Sequence, residues 1–569
     1  MTAVSSEKTS RAFSKPDCVP PSPLSDVERG SRRSERWALV ASLLGVLLVV
    51  AAFGLTVWRA WALEVQTRPG VWVVDAVPAA LSELLFGHPK KYTVLATVRQ
   101  RFFSRLNREN ATARTINPAI RQVADMDRAT VGDGYVLLGP DDKGIVDLIA
   151  VSFRLFGYRI ESVTIAYFAL LGLSCALYLA AFWRRPAALL LLASILGTLY
   201  LVMPMLVLNP QLRSVLALRA LPILSMVACL HILLFMASSL RERVGPLGLV
   251  LAAAQVALIA FTMHLRSTTM WQVATILGCG VLVLLVGHMR RATLPQTARR
   301  SALVAVGASL GLVAAGYLTL AAYQATVFPE EYRRGDEIAT RVFWHNIFSG
   351  FAYHPAMSER YALRVDDVSI TAATRDYLAE IDRLDIWRDI GGEVPDFVGI
   401  KFATYDPVVR DMLIARCSAY PGECLETVAF YKPRSLMGSL AWLYGLRAEP
   451  PDLQVFESRY FGDIVKRQFL DLSQLLDERG QRAYLWSPLV LALLLPFAVL
   501  LLAESRGHLW AAVSAGVGLL LGSLIPTVAG YAALHTIGEP AIAVGMVAYL
   551  GLCVGLSVVL RRMVAARRA

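Results

Sequence analysis

Arg32–Ala62 reads RRSERWALVASLLGVLLVVAAFGLTVWRAWA. Arg32, Arg33 and Arg36 stand directly before an apolar run at 37–62. At 1.5 Å per residue, such a run crosses a hydrocarbon core of about 30 Å as a helix. The same pairing of arginine with a spanning-length apolar run recurs along the chain. Further runs lie at 163–183, 187–208, 215–238, 246–264, 270–289, 302–324, 487–503, 508–531 and 538–560. Backbone groups in lipid must bond within their own segment, so the runs predict about ten transmembrane helices.

The gaps between the runs alternate in charge. With the N-terminus in the cytoplasm, one side holds Arg29 with Arg32, Arg33 and Arg36, then Arg184 and Arg185, then Arg241 and Arg243. It continues with Arg290, Arg291, Arg299 and Arg300, with Arg506, and with Arg561, Arg562, Arg567 and Arg568. The short loops on the other side hold only Arg213 and Arg266. This asymmetry predicts cytoplasmic termini in an inner or plasma membrane.

Composition points the same way. Of 569 residues, 56% are hydrophobic and 18% charged, with a net charge of +12; so much apolar surface has no place in a soluble chain of this size. The positive excess is mostly the arginine that sets topology, so it is no sign of nucleic-acid binding. Residues 1–36 are rich in Ser, Pro, Lys and Arg and read as a disordered tail. The run at 37–62 is too long for the core of a secretory signal and reads as a retained anchor.

The alternation leaves two long polar segments, 63–162 and 325–486, on the far side of the membrane. Six spans (163–324) separate them and three more (487–560) follow, with a basic tail at 561–569. The expected architecture is an all-α polytopic membrane protein with two mainly helical extracytoplasmic segments forming a cap. Within the first segment, Ile145–Phe156 is amphipathic and ends at Gly157, a helix suited to the membrane surface. Tyr92–Val98 is the best strand, and 117–128 predicts a helix. In the second, helices are expected over 371–389, 407–416, 425–442 and 456–476.

Cys417 and Cys424 alone fall in a long outer segment; Cys175, Cys229, Cys279 and Cys553 lie in spans and Cys18 in the tail. The stretch RCSAYPGEC turns at Pro421–Gly422, and in an oxidising compartment its ends are spaced to bridge.

Several reaction classes lack their signatures. There is no Walker A loop, no His-Glu-x-x-His, no Cys-x-x-Cys and no Gly-x-Ser-x-Gly. The arginine-side loops are too short for a nucleotide-binding domain. No Asp or Glu stands in the middle of a span, which argues against an ion-coupled transporter. His231 is deep in the fourth span; Arg219 lies near its outer end and either snorkels to headgroups or, with Arg213 and Arg266, meets a lipid phosphate.

Carboxylates gather in the outer segments. Asp75 stands among apolar residues shortly after the first span, and Asp141 and Asp142 precede Lys143, Gly144 and the amphipathic helix. An Asp there caps the helix, serves as a general base, or holds a divalent cation. The second segment offers Trp344, His345 and His354 near Asp366 and Asp367, as an aromatic belt or as an acceptor cleft in which Trp stacks on sugar rings. Lys432 and Arg434 are two cations suited to a phosphate or to a helix end.

One span, a long acidic outer segment, a surface helix and then a bundle: this order resembles the GT-C class of integral-membrane glycosyltransferases. The local match is Asp142-Lys143-Gly144-Ile145 through Phe156-Gly157 to Glu161-Ser162-Val163, similar to the stretch where Asp-Lys-Pro-Pro precedes a surface helix ending in Phe-Gly. Gly144 and Ile145 replace the prolines, and the usual acidic pair after the first span is reduced to Asp75, with Glu83 beyond it. The resemblance implies a polyprenyl-phosphate sugar as donor and a first-segment carboxylate (Asp75, Asp141 or Asp142) as base. Lys143 and Arg219 would then be phosphate partners, and membrane lipids the surrounding partners. A non-catalytic assembler of envelope components and a lipid-glycan ligase or polymerase remain alternatives; the ligase would depend on arginines rather than carboxylates.

Overall fold

The computed structural model describes residues 26–64, 71–88, 92–107, 111–138, 144–208, 221–328, 343–364, 367–391, 400–446, 483–530 and 538–567. The described chain is almost wholly helical. Its first half runs α1 (Asp26–Glu64), α2 (Val71–Phe86), β1 (Thr93–Leu95), α3 (Ala96–Phe103), α4 (Ala113–Ala124), β2 (Tyr135–Leu137) and α5 (Gly144–Phe156). Then come α6 (Glu161–Phe182), α7 (Pro186–Leu208), α8 (Met226–Ser238), α9 (Pro246–Leu265), α10 (Met270–Met289) and α11 (Gln296–Val327).

The second segment holds α12 (Trp344–Ser349), α13 (Pro355–Arg360), α14 (Asp367–Glu380), α15 (Leu384–Ile390), α16 (Phe402–Ala419), α17 (Pro421–Glu426) and α18 (Lys432–Leu443). A π turn, Thr427–Tyr431, joins the last two. The chain closes with α19 (Pro488–Leu494), α20 (Pro496–Leu500), α21 (Arg506–Ala529) and α22 (Gly538–Ala566).

Among the described residues, nine helices are long and apolar enough to cross a membrane. They are Trp37–Leu63, Glu161–Phe182, Pro186–Pro204, Leu221–Ser238, Pro246–Leu265, Ser267–Met289, Gln296–Val327, Arg506–Ala529 and Gly538–Ala566. The protein is a multi-pass membrane protein. The run expected at 487–503 is the exception: it forms a shorter apolar helix, Pro488–Ala503, broken at Pro496. Proline supplies no N–H, and the next turn tightens so that the Ala498 N–H donates to Leu495. The Leu494 carbonyl, freed of its helical partner, accepts instead from Cys553 at 3.2 Å.

At the arginine-rich end, charge does more than set topology. Arg185 pairs with Glu242 and donates to Ser238 at 2.8 Å. His508 bridges Glu242 (2.6 Å) and Glu504 (3.0 Å), and Glu504 accepts the Ala187 N–H at 2.9 Å, capping α7. The hydrogen bond from His508, then the charge of Arg185 against the cost of burial, holds the Glu242 carboxyl below its usual range.

The two expected outer segments differ in how they pack. Val74 and Leu81 of α2, Phe102 of α3, Ile120 of α4 and Ile149 and Phe153 of α5 belong to the same core as the spans. Each of these large side chains contributes about 1.5–3 kcal/mol by leaving water. Residues 348–424 instead form a core of their own around Phe348, Trp387, Tyr405 and Met412. Helix α18 joins the two, placing Leu436, Leu440 and Trp442 in the bundle's core. The sequence does not distinguish these modes, because both segments mix charge with apolar residues at helical spacing.

Local expectations hold unevenly. The strand is shorter than Tyr92–Val98: only Thr93–Leu95 pairs, antiparallel to Tyr135–Leu137, before α3 begins. Helix α4 starts four residues before the expected Asn117, because Thr112 and Thr115 form a capping box there. Helix α5 ends as expected at Gly157, whose φ of +92° lies where glycine is favoured. The expected helix over 371–389 is two, α14 and α15, split where Asp382 takes a φ of +55°. The expected helix at 456–476 lies outside the described residues.

Cys417 and Cys424 form a disulfide with Cα atoms 5.6 Å apart. It joins α16 to α17 at the edge of the separate core. Cys417→Ser should therefore lower the stability of the 343–426 unit by about 2–3 kcal/mol. The bundle should be unaffected. Limited proteolysis with and without reductant reads this out: cleavage confined to 343–426 is the expected result, and equal resistance in both states would contradict it.

Candidate active site

A second cluster of polar groups forms where the first segment meets the ends of α9 and α11. Asp147 lies one turn into α5, on the side facing the bundle. Its Oδ2 accepts from the Tyr92 hydroxyl (2.6 Å), from His264 Nε2 (2.8 Å) and from the Tyr323 hydroxyl (2.8 Å). Tyr92 precedes β1, His264 ends α9 and Tyr323 lies in the last turns of α11, so four chain segments supply one cluster.

The second ring nitrogen of His264 faces Gln324 Nε2 at 3.3 Å. With Gln324 donating to Nδ1, the ring proton lies on Nε2, toward Asp147. The Tyr92 hydroxyl also stands 2.9 Å from Nε2. Phe328 packs on the Tyr92 ring at 4.9 Å between centroids, and Tyr323 meets His264 edge-on at 5.4 Å. These rings shield the carboxylate from water.

Burial works against ionisation of Asp147, but the hydrogen bonds from His264, Tyr92 and Tyr323 outweigh it. The carboxyl is held below its ordinary value and carries its charge at neutral pH. Burial first, and then the Asp147 charge, push the Tyr92 phenol far above its usual range, so it stays protonated. The side chain of Asp147 retains 16% exposure. Chemically, the cluster is a charged proton acceptor served by two phenols and an imidazole.

Gly144 lets the cluster form. A Cβ at this position would lie 2.3 Å from the His264 carbonyl oxygen. Gly144→Ala must therefore push the start of α5 off the end of α9. The expected outcome is a thermal midpoint lowered by several degrees; a variant as stable as the parent would show that the approach is not needed.

The sequence-derived candidates fall in several places. Asp141, Asp142 and Lys143 lie outside the described residues, directly before α5, as do Arg213 and Arg219. Asp75 is half-buried on α2, the helix that packs along α5. Arg266 follows α9 by one residue and lies close enough to act electrostatically on Glu539 at the start of α22. Among the described residues, no group of three His, Cys, Asp or Glu side chains is placed to hold a metal ion.

Trp344, His345 and His354 gather in the second unit. Trp344 is half-buried; His345 is buried, with Nδ1 2.8 Å from the Tyr405 hydroxyl and Nε2 3.1 Å from Asp367. The Asp406 carboxylate accepts the N–H groups of Phe343, Trp344 and His345 at 3.1–3.3 Å, fixing the start of α12. His354 caps α13 through Met357 N and reaches Glu426 at 3.3 Å. Arg434 is exposed, with its guanidinium over Phe430.

Lys432 is fully buried. Its ammonium donates to the carbonyls of Ala529 (2.9 Å) and Ile347 (3.2 Å) and stands 4.9 Å from the Phe351 ring centroid. Burial pushes its pKa down to about 7. A lysine used in this way fastens the second unit to the end of α21.

Asp147 and His264 are not among the residues the sequence singles out. Asp147 is the one acidic residue inside the amphipathic α5, and His264 is the last residue of an expected span. An acid on the apolar-rich face of a helix, followed far along the chain by a histidine at a span end, is the signal that points to them. Comparison with known proteins finds no matching family model, no matching curated protein and no matching solved structure.

Proposed function

We propose that this protein is an integral-membrane transferase whose reaction centre is the Asp147 cluster, facing away from the cytoplasm. The substrate class is a sugar carried on a polyprenyl phosphate, passed to a hydroxyl-bearing envelope acceptor. One observation carries the reading: a mostly buried carboxylate, kept charged by Tyr92, His264 and Tyr323, stands where the first segment meets the ends of α9 and α11. A lipid carrier presents its phosphate at that level, and the acceptor arrives from water.

In this reading Asp147 takes the acceptor's proton, directly or through Tyr92 or Tyr323. The acceptor oxygen bonds to the anomeric carbon while the bond to the phosphate oxygen breaks, and the phosphate leaves with the electron pair. Arg266, Lys143, Arg213 and Arg219 are the cations nearest in the topology to meet it. Asp75, Asp141 and Asp142 are the further carboxylates on this side, available to a divalent cation. The finer topology belongs to the same proposal: ten crossings, both termini cytoplasmic, and the two outer segments together over the site.

The test is mass spectrometry of envelope lipids and glycans from cells with and without the protein. Loss of a glycosylated species is expected; unchanged composition would reject transfer. A second reading, non-catalytic assembly of envelope components, is favoured by the separate core of 348–424 and by exposed Leu425, Val428 and Phe430 on that unit. It expects unchanged composition together with loss of a co-purifying protein when these side chains are made polar.

A further inference from the structure

Helices α3 and α4 pack against each other, with Val98, Phe102, Ile116, Ile120 and Val123 buried. On their outer side they leave an open cleft of about 660 Å³. Arg101 and Arg105 line it from the α3 side, Arg114 and Arg121 from α4. Among the described residues, no carboxylate lies within ion-pair distance of any of these four arginines. Asp125 is the single acidic residue in the lining. Four cations around one cleft repel each other, and one carboxylate leaves most of that charge unbalanced. A multivalent anion balances it with charge-assisted, often bidentate bonds.

The position of the cleft indicates where the anion comes from. Arg114, Asn117 and Arg121 recur at i, i+3 and i+7, one side of α4. Asn117 Nδ2 donates to both oxygens of Glu161 (3.0 and 2.9 Å), and Asn117 Oδ1 accepts the Ile160 N–H at 2.9 Å. Glu161 is the first residue of a membrane-length helix. Asn117 thus ties α4 to the membrane boundary, with Arg114 and Arg121 about one turn to either side.

We propose that the α3–α4 cleft binds a phosphate-bearing anion, presented at the membrane surface by a lipid headgroup. The site is separate from the Asp147 cluster and does not depend on the transferase reading. Its chemistry is that of arginine forks closing on a phosphate, so binding weakens as salt screens the charges.

The full chain is tested in phosphatidylcholine nanodiscs with and without phosphatidylglycerol. Native mass spectrometry counts retained phosphatidylglycerol for the parent, for R114Q/R121Q and for R101Q/R105Q. Loss of two charge-assisted contacts should lower retention about tenfold or more in each double variant. The two pairs come from different helices, so one remains informative if the other misfolds. Addition of inorganic pyrophosphate separates the sources. No displacement supports the headgroup, and displacement at low concentration assigns the same cleft to a soluble phosphate compound. Equal retention by parent and both variants overturns the proposal.

Discussion

Asp147→Asn is expected to leave the protein folded and inserted while lowering transfer about a hundredfold or more, the scale of a lost general base. The amide keeps an oxygen for Tyr92, His264 and Tyr323 but cannot take a proton. Asp147→Ala should behave differently. It removes an acceptor shared by three donors, at about 1–3 kcal/mol for any donor that finds no other partner. That variant should lose stability as well as activity. Comparing the two separates chemistry from architecture: if Asp147→Asn retains full transfer at normal protein levels, Asp147 is a clasp and not a base. The pH dependence has a definite sign. The folded carboxyl is held below its unfolded value, so its contribution is complete above the ordinary carboxylate range. It disappears only as pH falls through the lowered folded value.

Lys432 carries the second large effect. Its pKa falls from 10.5 to about 7 on burial, so the unfolded chain binds more protons between those values. Stability must then rise as pH is raised from about 7 toward 10, on the order of 4 kcal/mol in all. Lys432→Met keeps most of the side-chain volume and removes the charge. It should abolish this slope and leave stability at pH 7 equal to or above that of the parent. Lys432→Ala, which leaves a cavity between Gly350 and the end of α21, should destabilise by about 2–4 kcal/mol. Thermal midpoints across this pH range decide the matter; an unchanged slope in Lys432→Met would place the titrating group elsewhere.

The spans are legible in the sequence because lipid imposes a simple rule: a long apolar run must be a helix. The helix starting at Gln296 shows it, since the apolar run behind Arg299 and Arg300 marks a membrane-length helix by residue type alone. Pro488–Ala503 shows the rule's limit. Its hydropathy reads as a span, but the helix is shorter than the nine spans and Pro496 breaks its hydrogen-bond ladder midway. The disulfide is legible because Cys417 and Cys424 are local in sequence. The Asp147 cluster is not, because its members lie at 92, 147, 264 and 323. Nothing in spacing or periodicity joins them; only the packing of α5 against α9 and α11 does. The surroundings of Lys432 are hidden for the same reason. Its type offers a phosphate partner or a helix end, and only tertiary packing sets it against the carbonyls of Ile347 and Ala529.

The transferase reading requires residues 71–138 to face the compartment opposite the arginine-rich end. A cysteine placed at exposed position 133 (Asp133→Cys, with Cys18→Ser) tests this in intact cells with a membrane-impermeant maleimide. Labelling before lysis is the predicted result. Labelling only after the membrane is opened would put the Asp147 cluster on the cytoplasmic side and contradict the account.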